Sequence, residues 1–326
     1  MLCPFCLDEA VFTRQKVATR PAPVYICPQC KEEIPSLYVR DYKSCPPVVV
    51  SAVGFRGHGK TVYFASLFYL FKKTALARQW PTFSTLCLSE EDLETVFRNV
   101  EMLESGELPD ATPKNFPRPT MIRLRGVPMQ PDCTLLCYDT AGECFAKPTQ
   151  LVQYAGFVKR ARTAMFLVSL SKLADPALEM HKLLNVYVTG MSQLEARTQD
   201  QNLAVVYTQA DDLAQHLNGW QNLGAYLTEG TLDALASTKR YMGRMQSVSE
   251  QLRVFTAEQL QAHEFLNLAR DSFRQVSFSI ISALGSRPVG NRLPVQIVPR
   301  RVLDPLLWLQ RKTQPWWKQA WGRFTD

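Results

Sequence analysis

No stretch of the 326-residue chain reaches the ~18 consecutive apolar residues that a membrane-crossing helix needs, so no transmembrane span is expected. The opening MLCPFCLDEA has no basic segment leading into a long apolar core, and no secretory signal is expected there. Histidine is scarce. His58, His181, His216 and His263 have no ligand spacing, which argues against a histidine-built metal site. Charged residues make up 21% against 46% hydrophobic, the balance of a globular protein and not of a disordered chain. The net charge of +7 sits at one end, because residues 286–326 hold eight Arg or Lys against two Asp. The body is therefore near neutral, and residues 1–45 lack the basic footprint that nucleic-acid binding requires. Nine cysteines, an odd number in a long chain, fit a reducing, cytoplasmic compartment better than a disulfide framework.

What is present centres on residues 54–61, GFRGHGKT, which satisfy G-x-x-x-x-G-K-[ST] at every constrained position. An apolar β-branched run precedes the motif at 47–53, and apolar residues at helical spacing follow it at 61–73, giving the strand–loop–helix setting a phosphate-binding loop needs. Gly54, Gly57 and Gly59 allow the backbone around Arg56 and His58 to close on a phosphate. The N–H groups of the loop join a helix N-terminus that attracts anions. Lys60 is placed to neutralise outer phosphates and Thr61 to offer a hydroxyl to Mg2+.

Four cysteines precede this motif. Cys3-Pro-Phe-Cys6 and Cys27-Pro-Gln-Cys30 are two C-x-x-C pairs separated by twenty residues, the spacing of a four-thiolate Zn2+ ribbon. A segment of about 45 residues is too small to fold on core burial alone, so metal binding is expected to supply much of its folding energy. Pro46 and Pro47 mark its boundary.

Downstream, residues 105–119 (SGELPDATPKNFPRP) hold four prolines and read as a loop able to close over a ligand. Thr112 is the candidate for a hydroxyl that senses the last phosphate through Mg2+, with Thr120 as the alternative. A strand is expected at 121–127 and another at 133–138. The second ends in Asp139-Thr-Ala-Gly-Glu143, which puts a carboxylate beside Mg2+ and lets Gly142 offer its N–H to a γ-phosphate.

LLCYDTAGE, following the phosphate-loop motif, resembles the switch II signature of Ras-like GTPases of the TRAFAC class. The resemblance covers about residues 47–284. It implies an α/β fold: a mostly parallel P-loop GTPase sheet with helices on both faces, binding GTP or GDP with Mg2+. Thr208-Gln-Ala-Asp211 is similar to the family's guanine-reading [NT]-K-x-D, with Asp211 accepting from the ring N1–H and exocyclic amine. Thr256-Ala257, placed at the end of an expected strand 253–257, resembles the loop that contacts the guanine carbonyl. Three positions depart from the pattern. Gln209 stands where the family has Lys. Glu143 stands where a Gln orients the attacking water, which implies slow turnover. Arg56 replaces a small residue, and either stabilises transition-state charge in cis or points outward to a partner. The resemblance thus casts Lys60, Glu143 and Arg56 as catalytic candidates. A ribbon joined to such a core also looks like bacterial GTPases of conflict or defence systems. An ATPase and a nucleotide-bound scaffold with negligible turnover remain the alternatives.

The segments 211–227 and 231–245 read as helical insertions, and 264–284 as a closing amphipathic helix. The expected division is ribbon 1–45, GTPase domain 46–285, and proline-punctuated linker with basic tail 286–326. The tail holds four of the six tryptophans, and Trp317, Trp321 and Phe324 share one face of a helix beginning at Pro315. Such an amphipathic helical tail lies on an anionic membrane surface, docks in a protein partner, or packs back on its own domain.

Overall fold

The computed structural model describes residues 1–16, 23–73, 76–172, 174–211, 220–229, 234–290, 292–294 and 296–310. The chain opens with a three-stranded antiparallel sheet, β1 (Thr13–Gln15), β2 (Val24–Ile26) and β3 (Glu33–Ile34), closed by the short α1 (Ser36–Arg40). These strands are too short to bury a core of their own. Cys3, Leu7, Cys27, Ile34 and Tyr38 instead belong to one apolar cluster with the main body.

The main body is a seven-stranded sheet organised around β4 (Pro47–Val53). The other strands are β5 (Ser84–Cys87), β6 (Thr120–Arg125), β7 (Cys133–Tyr138), β8 (Thr163–Val168), β9 (Asn202–Tyr207) and β10 (Gln275–Ile280). Their spatial order is β10-β9-β8-β4-β7-β6-β5; β10 to β7 run parallel, and β6 is antiparallel to both its neighbours. Every residue of β7 and β8 is buried. Because alternate side chains point to opposite faces, both faces must be covered, and the apolar, β-branched composition of these strands reflects that. The covering helices are α2 (Lys60–Lys73), α3 (Leu76–Gln79), α4 (Glu90–Glu104), α5 (Pro148–Tyr154), α6 (Pro176–Gln193), α7 (Gln221–Thr228), α8 (Thr238–Glu258), α9 (His263–Ser272) and α10 (Leu303–Gln310). None of the described helices is long and apolar enough to cross a membrane.

Strand β4 lies between β7 on one side and β8 on the other, so chain connections diverge there. A crevice opens beyond the carboxyl ends of the strands at such a switch point, and the loop after β4 occupies it.

Three expectations change. Residues 253–257 are not a strand; they complete α8, where Tyr241, Met245, Val248, Leu252 and Phe255 form one buried stripe at alternating spacings of four and three. That stripe outweighs the local strand preference of Val-Phe-Thr. The segment 264–284 is not one helix. It breaks after Ser272 and continues as β10, the last parallel strand. The start of the tail is core: Val302, Leu303, Leu306, Leu307 and Trp308 are buried, and the Trp308 indole N–H donates to Ser279 Oγ at 2.9 Å. His216, Trp316, Trp317, Trp321 and Phe324 lie outside the described residues.

Candidate functional site

The loop between β4 and α2 makes two left-handed steps, Gly57 at φ 83° and Gly59 at φ 79°, which glycine adopts without strain. Gly142 meets the loop from β7. A Cβ there would lie 2.2 Å from the Arg56 nitrogen, so only glycine allows the two backbones to touch. His58 is buried, its Nδ1 2.9 Å from the Leu167 carbonyl, and it braces the loop against the end of β8; burial holds its pKa below the usual imidazole value. Lys60 opens α2 and is 6% exposed. Its ammonium donates to the Gly54 and Phe55 carbonyls at 2.8 and 3.0 Å, and burial lowers its pKa to about 8 against the raising charges of Asp139 and Glu143. A buried ammonium held only by carbonyls is short of counter-charge, which an incoming phosphate supplies.

Beside it three side-chain oxygen groups converge. The Thr61 and Thr112 hydroxyls are 2.8 Å apart, and Thr112 donates to Asp139 Oδ2 at 2.7 Å. Asp139 Oδ1 is buried without a hydrogen-bond partner. Burial raises the Asp139 pKa, while the two hydroxyls and Lys60 oppose the rise. Two hydroxyls and a carboxylate with an orphaned oxygen are the hard-oxygen donor set that suits Mg2+. Thr120 instead begins β6. Of the catalytic candidates, Arg56 is 85% exposed and lies 3.7 Å from Glu143, itself 45% exposed, so the two side chains face each other at the mouth of the site.

A pocket of about 230 Å³ continues from Gly59 past Thr208 and Asp211 to Ala283, Leu284 and Arg287. Thr208 is buried and donates to the His58 carbonyl at 3.0 Å, tying β9 to the phosphate loop. Gln209, at φ 55°, donates to the Gly57 carbonyl at 3.3 Å and accepts from Ser169 and Ser171, so it joins the β8 and β9 ends to the phosphate loop. Asp211 Oδ1 accepts from Ser282 Oγ at 2.5 Å, and Ser282 also receives the Gly285 N–H at 3.0 Å.

Thr256 and Ala257 are not part of this pocket. Thr256 is fully buried in α8, with its hydroxyl 2.6 Å from Tyr207 Oη and donating to the Leu252 carbonyl at 2.7 Å. The segment that does face Asp211 is Ser282-Ala283, directly after β10. The two Ser/Thr-Ala pairs look alike in sequence; only the assignment of the last strand separates them.

Away from this crevice, Cys3, Cys6, Cys27 and Cys30 bring their sulfurs within 4.8 Å of one another. The Cys3–Cys30 and Cys6–Cys27 separations are 3.7 and 3.8 Å, and four thiolates around a tetrahedral ion with bonds of ~2.3 Å need edges of ~3.8 Å. The cluster fits one metal ion. Burial raises Cys3 and takes Cys6 to about 11; for Cys27 the N–H groups of Cys30 and Gln29 overcome burial and lower it.

No curated protein matches the chain. Among solved structures, the S. cerevisiae Ski7 GTPase-like domain, bound to GDP and inorganic phosphate, is similar at a TM-score of 0.37 and 13% identity, over 84% of this chain and 52% of that one. The chain thus spans about half the length of that relative. Residues 48–267 match the family model described as Double-GTPase 2, which covers more than half of the sequence, and the chain belongs to the Double-GTPase 2 family.

Proposed function

We propose that the protein is a GTP-binding, GTP-hydrolysing switch that uses Mg2+, with a zinc ion in its four-cysteine knuckle. The observation that carries this reading is the convergence of Thr61, Thr112 and Asp139 beside a buried Lys60 at the mouth of β4. Lys60 and the loop N–H groups bind the phosphates, while Asp211 and the Ser282-Ala283 turn receive guanine. Thr61, Thr112 and Asp139 would hold Mg2+, which neutralises charge on the terminal phosphates. Gly142 presents its N–H to the γ-phosphate, and Glu143 orients water. The ribbon, with the part of the tail beyond the buried α10, docks a protein partner in the cytoplasm.

Single-turnover release of labelled phosphate from GTP tests this. Slow release that stops when Mg2+ is chelated supports it. Tight GTP binding with no release above buffer supports instead a nucleotide-bound scaffold, a reading favoured by the Arg56–Glu143 pairing, in which each catalytic candidate occupies the other. Metal analysis of purified protein is expected to find one zinc per chain.

A further inference from the structure

The loop that carries Thr112 is fastened at its far end to the cysteine knuckle. Four residues beyond Thr112, the Phe116 ring meets Tyr138 and Phe157 edge-on at 6.5 and 6.1 Å, and those two rings stack at 4.6 Å. Two residues further, the Arg118 guanidinium lies 4.6 Å over the Phe5 ring and 3.3 Å from Glu32, both in the ribbon, and 3.7 Å from Glu91 on α4. Phe5 sits between Cys3 and Cys6, and Glu32 follows Cys30 by two residues. The Tyr138 hydroxyl donates to the Pro4 carbonyl at 2.5 Å, so the residue directly before Asp139 is tied to the same knuckle. The ribbon therefore holds both the loop bearing Thr112 and the strand end bearing Asp139.

A knuckle this small keeps its shape through its metal. Phe5 and the Pro4 carbonyl lie between the first two ligands, so the ion fixes the surface that Arg118 and Tyr138 grip. We infer that the metal-loaded knuckle holds the Thr112 loop in place, with Phe5 and Arg118 as the positioning pair. This rests on the GTP reading above. In that reading Thr112 senses the last phosphate through Mg2+, and a diphosphate lacks that group, so loosening the pair releases the triphosphate faster and leaves the diphosphate unchanged. Linkage is reciprocal: if the knuckle favours the triphosphate state, the triphosphate must stabilise the knuckle.

The experiment measures dissociation of fluorescent GDP and of a fluorescent non-hydrolysable GTP analogue from full-length, zinc-loaded protein. The variants are Phe5→Ala, Phe5→Tyr and Arg118→Ala, each checked for one zinc per chain. In Phe5→Ala and Arg118→Ala the analogue is expected to leave about fivefold faster or more, with GDP unchanged, and Phe5→Tyr, which keeps the ring, restores the wild-type rate. In parallel, zinc capture from wild-type protein by a chelating dye should be slower with the analogue than with GDP. Equal analogue rates in all variants, or zinc capture indifferent to the nucleotide, would overturn the inference while leaving GTP binding intact. Wild-type protein that takes up no guanine nucleotide would sink the GTP reading and this inference with it.

Discussion

In the proposed nucleotide site, the phosphate half and the base half differ in how far apart their parts lie along the chain. Around the phosphates, residues 54–61 supply most of the binding groups from one continuous turn, and Asp139 and Gly142 come from a second short motif. Around the base, Asp211 accepts from Ser282, which is 71 residues away across three described helices and a strand. Local backbone chemistry dictates the first half, whereas the second exists only once β9 and β10 are aligned side by side.

Mutation separates the two halves, and the phosphate half should give the larger effects. Lys60→Ala or Asp139→Ala removes a buried charge opposite phosphate or its metal, and nucleotide affinity measured by calorimetry should fall by about 100-fold or more. In the base half, Asp211→Asn replaces an acceptor with an amide that also donates, and should cost GTP about 2–3 kcal/mol while favouring xanthosine triphosphate, whose ring carries a carbonyl where guanine has an amine. Competition with the two nucleotides reads this out.

Acid–base behaviour separates the halves again. Burial holds the free Lys60 ammonium down to about 8, below its unfolded value, and a bound phosphate raises it, so binding takes up a proton above that pH. Affinity is then flat at lower pH and should fall about tenfold between about pH 7 and about pH 9, whereas in Lys60→Ala the dependence disappears. Smaller effects distinguish the proposed base loop at Ser282-Ala283 from its look-alike at Thr256-Ala257. Ser282→Ala should weaken GTP binding by about 1 kcal/mol, and Thr256→Ala should leave binding unchanged but lower unfolding stability by about 1–2 kcal/mol, because its hydroxyl serves Tyr207 on β9 and Leu252 in α8. Smallest of all, Arg56→Ala breaks only an exposed pair and should change stability by less than about 0.5 kcal/mol.

Much of this architecture was legible in the residues. The β-branched run before Gly54, the apolar strand ending at Tyr138 and the cysteine spacing each lead to an observed element, because each is decided by a local pattern. Choosing between Thr112 and Thr120 was not legible, since both lie near prolines and only the folded loop brings one of them to Thr61. The last strand was hidden for a different reason: Val276, Phe278 and Ile280 fit a strand, yet they follow α9 after two residues and continue its apolar content. The role of Ser282 was hidden with it. The burial of α10 was obscured by the prolines and arginines before it. Arg301, fully buried, stacks 3.8 Å over Tyr226 and reaches Glu229 at 2.6 Å, and Asp304 accepts from the Tyr226 and Tyr241 hydroxyls. A basic sequence thus became core by finding partners in α7, α8 and the turn after α7.

The most direct trial of the central claim is a competition titration of intact, zinc-loaded protein with GTP and ATP at millimolar Mg2+. The account predicts uptake of GTP in strong preference to ATP, with the preference erased in Asp211→Asn. Uptake of ATP over GTP, or no uptake of GTP, would contradict it.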